Sequence, residues 1–373
     1  MRDRVRTAKR WVVKVGSSLL TDNGTGLDHD IIEHWTKQIS ELLDKGREVV
    51  LVSSGSIAAG VARLKLTERP TRVDQLQAAA AVGQMGLIRA YESGFERDGR
   101  LTAQILLTHE DLANRRRYLN ARGTLSTLLK HGVVPVVNEN DTVTTDEIRL
   151  GDNDTLAAQV ANLIDAEVLV LLTDQEGLFD KDPRHHKDAR LMERANASDP
   201  KTLALAGPAG SAIGSGGMRT KVLAADRAAQ TGTTTIIADG RAPKVLLRLS
   251  DGEPIGTMLT SSQRPRDARK RWLADHLRAK GTLVIDDGAC QVLKTKGSSL
   301  LAVGVTACHG EFSRGELVSC TNQDGCEVAR GLINYSSSDA RKVIGRSSDT
   351  FEQVLGYAGE PELVHRDNMV VLM

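Results

Sequence analysis

Apolar, β-branched runs recur along the first two thirds of the chain, each followed by a longer stretch with helical spacing. The runs Trp11–Val15, Glu48–Val52, Thr102–Leu107, Val133–Val137, Val168–Leu172 and Thr234–Ala238 predict strands. Several are apolar at successive positions, as expected of strands covered on both faces. Between them, Ile31–Asp44, Gln75–Glu92, Arg115–Lys130, Thr155–Leu163 and Arg219–Gln230 predict helices. Alternating strand and helix imply an α/β fold with a mostly parallel sheet. Ligands in such sheets bind beyond the carboxyl ends of the strands, so the chemistry is expected just after each run.

The pattern changes near Leu259. Thr260–Arg271 is polar and basic and reads as a linker, with a nucleic-acid patch as the alternative. From Gly281 onward the runs shorten to Thr282–Asp286, Gln291–Lys294, Leu317–Cys320 and Cys326–Leu332, punctuated by Gly and Asp. These predict a small β-rich domain. The expected organisation is a first domain at 1–260, a linker at 261–279 and a second domain at 280–373.

The 373 residues carry a formal net charge of +1 and only 3% aromatics. Neither favours nucleic acid or an anionic membrane as partner. No apolar run nears the ~20 residues of a membrane span, and the charged N-terminus lacks a signal-peptide core, so a cytoplasmic location is expected. The four cysteines, Cys290, Cys308, Cys320 and Cys326, form no Cys-x-x-Cys pair and read as free thiols in a reducing compartment. No protein ligands to a metal are assigned.

Five loops carry candidate chemistry. The first strand ends in Lys14-Val15-Gly16-Ser17-Ser18, a cation beside a Gly turn, which suits a phosphate; a lysine snorkelling from a strand end is the alternative. The second ends in Ser53-Ser54-Gly55-Ser56 before a helix, which reads as an anion site or an ordinary cap. Asn138-Glu139-Asn140-Asp141 and Gly151-Asp152-Asn153-Asp154 flank one loop. Their amides and carboxylates suit an amino acid's ammonium and carboxylate, or Mg²⁺ through water, or Asx-turn and capping roles. Thr173-Asp174 follows the fifth strand and suits a nucleotide or a turn. Gly214-Ser215-Gly216-Gly217-Met218-Arg219-Thr220-Lys221 opens a helix like a phosphate cradle. It is not the Gly-x-x-x-x-Gly-Lys-Ser/Thr loop, and neither Gly-x-Gly-x-x-Gly nor Gly-x-Ser-x-Gly occurs.

In this order, the segments resemble the glutamate 5-kinases of proline biosynthesis, within the amino acid kinase family. The resemblance covers nearly the whole chain. It implies a three-layer α/β/α sandwich, with a C-terminal region similar to a PUA domain through Gly297–Leu301, Phe312–Glu316 and His365–Asp367. It further implies that Lys14 contacts the ATP phosphates and that Ser54, Asp141 and Asn153 bind glutamate. Thr173, Asp174 and the loop Ser215, Gly216, Gly217, Met218, Arg219, Thr220 and Lys221 would bind ATP, with Asp154 orienting the two lysines. Ser215 stands where many relatives have Thr, which keeps the hydroxyl. ATP as co-substrate, Mg²⁺, feedback inhibition by proline and a dimeric or tetrameric homo-oligomer are implied as well. The alternatives are a kinase of the same fold acting on aspartate, acetylglutamate, carbamate or UMP, and an RNA-binding protein working through the PUA-like region.

Overall fold

A computed structural model of the chain describes residues 2–21, 26–144, 153–207, 217–260 and 279–372. The predicted strands form as β1 (Arg10–Val15), β2 (Glu48–Ser53), β3 (Thr102–Leu107), β4 (Val134–Glu139), β5 (Val168–Thr173) and β7 (Thr234–Asp239). Every residue of β4 and β5 is buried, the consequence of covering both faces of a parallel sheet. Two strands escaped the pattern, β6 (Arg194–Asn196) and β8 (Thr257–Thr260); both are only three or four residues long. The eight strands lie in the order β3-β4-β2-β1-β5-β7-β8-β6. All pairs are parallel except β7 with β8.

This order puts a switch point beside β1. The chain leaves β1 toward β2 on one side, and leaves β5 toward β7 on the other. Between two strands whose connections diverge, the carboxyl ends open a crevice. Lys14 lies on β1 at that crevice, in register with Val52 of β2 and Leu171 of β5.

Helices cover both faces: α1 (His29–Asp44), α2 (Ser56–Arg63), α3 (Val73–Glu96), α4 (Arg115–Lys130), α5 (Asn153–Leu163) and α6 (Met218–Ala229). Asp28 caps α1 by accepting from the Ile31 N–H at 3.1 Å. Trp35 of α1 is fully buried and donates from Nε1 to the Gly240 carbonyl at 2.8 Å, which satisfies the one polar atom of that ring. Helices α2 and α3 touch backbone to backbone. A Cβ on Gly60 would lie 1.7 Å from the Ala79 carbonyl oxygen, and one on Gly83 would lie 1.8 Å from that of Ser56. Helices α5 and α6 pack through buried alanines, Ala157, Ala158 and Ala161 on one and Ala224, Ala225 and Ala228 on the other. Small side chains there bring the first turns of the two helices together.

The chain divides into two compact units, Met1–Leu112 with Ala121–Pro265, and Ala113–Asn120 with Arg266–Met373. The second contains a five-stranded sheet ordered β10-β9-β11-β12-β13, from β9 (Gly281–Ile285), β10 (Val305–Gly310), β11 (Leu317–Thr321), β12 (Glu327–Leu332) and β13 (Met369–Val371). Its core includes Leu283, Ile285, Val318, Val328 and Phe351. The run Gln291–Lys294, expected as a strand, is instead helical, within α7 (Asp287–Lys296). The reason is local: Asp286 caps the segment by accepting from the Ala289 N–H at 2.7 Å, and Gly297 ends it with a left-handed backbone, φ 58°. All four cysteines are free, Cys320 buried in the core and Cys326 exposed. Burial pushes the Cys320 thiol up to about 12. The basic segment between the domains lies outside the described residues.

Candidate active site

Lys14, Asp154 and Lys221 come from three separate elements and meet below the surface. Lys14 Nζ lies 2.6 Å from Asp154 Oδ1, and Lys221 Nζ lies 3.1 Å from Oδ2. Thr220 Oγ1 donates to the same Oδ2 at 2.9 Å. Both lysines are 4% exposed and Asp154 is fully buried. Burial alone would raise the Asp154 carboxyl. The charges of the two ammonium groups and their hydrogen bonds more than offset it and hold the group well below the usual carboxylate range. Two cations around one anion leave a formal surplus of one positive charge, shielded from water. Such a surplus attracts anionic oxygens far more strongly than an exposed lysine would. The capping alternative for Asp154 does not describe it: its carboxylate turns to the lysines.

Asn153, one residue earlier on α5, is also buried. Its Nδ2 donates to the Ser53 carbonyl at 2.5 Å and to Asn138 Oδ1 at 2.7 Å. Asn138, on β4, donates in turn to Gln84 Oε1 of α3 at 2.7 Å. Ser54 follows β2; its hydroxyl is buried with no hydrogen-bond partner among the described residues. Such a group carries a desolvation cost of roughly 1–3 kcal/mol until something meets it. Gly55, φ 93°, occupies the left-handed region and turns the chain into α2. Asp141 accepts from Ser56 Oγ at 2.7 Å. Burial raises its carboxyl, opposed by the Ser56 hydrogen bond and the charge of Arg69.

On the other side of β1, Thr173 is buried at the end of β5 and donates from Oγ1 to Asp174 Oδ1 at 3.0 Å, with Asp174 exposed. Gly16 N–H donates to the Leu172 carbonyl at 3.2 Å, tying the two loops together. Gly217 precedes α6, and Met218 and Arg219 lie half-buried in its first turn. Ser215 and Gly216 lie outside the described residues.

Lys14, Asp154, Thr220 and Lys221 are thus joined directly. Asn153 is joined to Ser53, and Asp141 to Ser56 rather than to the lysines. Two participants carried no sequence signal. Gln84 sits in an alanine-rich helix, and Tyr91, whose hydroxyl lies 3.0 Å from Ser53 Oγ, reads as core.

The amino acid kinase family model matches residues 9–239, and the PUA domain model matches 281–355. The chain is 58% identical over 371 residues to a glutamate 5-kinase of Thioalkalivibrio sulfidiphilus, covering 100% of this chain and 99% of that one. It is 57% identical to the glutamate 5-kinase of Nitrosospira multiformis and 56% identical to that of Stutzerimonas stutzeri, each over 372 residues and 100% of both chains. With the kinase family model matched over residues 9–239 and glutamate 5-kinases matched over the full length, the chain belongs to the amino acid kinase family, in its glutamate 5-kinase branch, and carries a C-terminal PUA domain.

Proposed function

We propose that the chain transfers the γ-phosphoryl of ATP to the side-chain carboxylate of L-glutamate, giving L-glutamyl 5-phosphate, the first step of proline biosynthesis. The observation that carries this reading is the buried Lys14–Asp154–Lys221 cluster. The acceptor carboxylate is ionised at neutral pH, so no general base is required. Its oxygen attacks the γ-phosphorus, the bond from that phosphorus to the β-bridging oxygen breaks, and ADP leaves. Charge spreads over the transferring oxygens and the leaving ADP, and Lys14 and Lys221 are the groups to neutralise it. Asp154 keeps both ammonium groups aimed and is itself too strongly paired to serve as a base.

Ser54, with its unmet hydroxyl, and Asn153 and Asp141 would hold glutamate; Asp141 has one oxygen on Ser56 and the other available to the α-ammonium. Thr173, Asp174 and the 215–221 loop would hold ATP. Mg²⁺ would accompany the nucleotide, and Asp154, committed to the lysines, would not be its ligand. It would supply further charge neutralisation on the β- and γ-phosphates. The product is an acyl phosphate, which demands prompt consumption. Residues 1–260 would form the catalytic domain, 261–279 a linker and 280–373 the PUA domain. Proline inhibition, a dimer or tetramer, and a cytoplasmic location belong to the same reading. Among the described residues no helix is long and apolar enough to cross a membrane.

The test is ADP release with Mg-ATP and L-glutamate, L-aspartate, N-acetylglutamate, carbamate or UMP, with hydroxylamine trapping any acyl phosphate. Hydroxamate with glutamate alone, suppressed by proline, is the expected result. Turnover with another acceptor instead would reassign the substrate.

A further inference from the structure

We infer that Tyr91 is a positioning residue for the glutamate site: through the Ser53 hydroxyl it fixes the Ser54 carbonyl, and with it the place of the Ser54 side chain. The inference rests on the proposal that Ser54 contacts glutamate.

Three oxygens here share two hydrogens. Ser53 Oγ lies 3.1 Å from the Ser54 carbonyl oxygen and 3.0 Å from Tyr91 Oη. A carbonyl can only accept, so the one hydroxyl hydrogen of Ser53 goes to Ser54. Tyr91 must then donate, and Ser53 Oγ accepts from it. Tyr91 lies on α3, fully buried in the core with Leu87 and Phe95. Burial pushes its hydroxyl far up, so the proton that this bond needs stays on Tyr91 throughout the neutral range.

Ser54 has little else to hold it. Helix α2 begins beyond it at Ser56, and the bond that closes its first turn runs from the Ala59 N–H to the Gly55 carbonyl at 2.9 Å. Among the described residues the Ser54 carbonyl accepts from no backbone N–H. Gly55, next in the chain, is the residue type with the widest backbone freedom. Ser53, by contrast, is tied through its backbone, in register with Val15 of β1 and with its carbonyl on Asn153 Nδ2 at 2.5 Å. Tyr91 adds what the strand does not supply, a fixed direction for the Ser53 side chain and through it for the Ser54 peptide group. The Ser54 hydroxyl remains buried and unmet, so a ligand meets a group whose backbone is already ordered. Without the Tyr91 hydroxyl, Ser53 Oγ can turn away and the Ser54 carbonyl is released. The Lys14–Asp154–Lys221 cluster is held by its own ion pairs, so the transfer step is spared.

The experiment measures kcat and both KM values in the wild type, Tyr91→Phe, Ser53→Ala, the double variant and Ser54→Ala. Tyr91→Phe keeps the ring and removes the hydroxyl. It should raise KM for glutamate about three- to tenfold, the weight of one hydrogen bond, with kcat and KM for ATP within about twofold. Ser53→Ala breaks the same bond from the other side and should do the same, so it is read in place of Tyr91→Phe if that variant does not fold. The double variant should be no worse than the worse single one, since both remove one link. A tyrosine that only fills the core would lower the melting temperature and leave KM for glutamate unchanged. That result, a rise in both KM values together, or effects that multiply in the double variant, with Ser54→Ala raising KM for glutamate, would overturn the role of Tyr91 and leave the site assignment standing. An unchanged KM for glutamate in Ser54→Ala, or a wild type that does not phosphorylate glutamate, would overturn both, and would place the fault in the site assignment.

Discussion

At the scale of single residues, charge and burial make the strongest statements. Lys14→Ala removes one of two cations from a water-excluded site, and kcat should fall by about 10²–10³, far more than KM for glutamate rises. Comparable kcat in that variant would sink the role given to Lys14. Asp154→Asn leaves Lys14 and Lys221 buried without their counter-charge, and breaking a buried pair costs about 3–5 kcal/mol. Urea melts should show that loss; a change below about 1 kcal/mol would mean the lysines find other partners. The two aspartates also differ in sign with pH. The lowered Asp154 carboxyl contributes stability that is fully present above the unfolded value near 3.9 and is lost only as pH falls through its lower folded value. Burial raises Asp141, so it takes up a proton at higher pH than an ordinary aspartate and then no longer attracts an ammonium. KM for glutamate should therefore climb on acidification before the fold weakens. A KM that stays flat until the protein unfolds would argue against Asp141 as the ammonium partner.

At the scale of elements, close helix approach decides where the side chains land. Gly60 and Gly83 let α2 and α3 touch, and this places Ser56 against Asp141 and Gln84 against Asn138. Gly83→Ala would force the Ser56 carbonyl aside, at a cost of about 1–3 kcal/mol, with KM for glutamate rising as Ser56 shifts. Gly123 lies exposed on α4 with nothing within 4 Å of an added Cβ. Gly123→Ala should therefore stabilise by about 0.5–1 kcal/mol, through helix propensity alone. Thermal melts of the two variants should move in opposite directions. The same scale accounts for what was readable beforehand. Strands apolar on both faces, such as β5, announce themselves by composition. The short strands β6 and β8 bury too little to do so, and α7 looks like a strand until its Asp286 cap is weighed.

At the scale of the whole molecule, the two compact units have separate sheets and separate cores. A ligand stabilises the part that binds it, by about 2.7 kcal/mol at a hundredfold excess over Kd. Calorimetry with Mg-ATP and glutamate should raise one transition and leave a second, from the PUA domain, in place. A single transition that moves as one would mean that the units unfold together. Net charge near zero predicts little attraction to polyanions, and filter binding of structured RNA across salt would measure it.

The sequence by itself determined the α/β architecture and the loops that follow β1, β2, β4 and β5, because these depend on apolar periodicity and on where each apolar run stops; that Lys14, Asp154 and Lys221 act together was implied only by the family resemblance. Only the tertiary structure decided that Lys14, Asp154 and Lys221 share one buried contact, and that Gln84, Asn138 and Asn153 form a row with a single polarity. Those facts depend on how β1, β4, α3, α5 and α6 cross in space. A glutamine or asparagine in a helix or strand looks the same in sequence whether it faces water or anchors a substrate site.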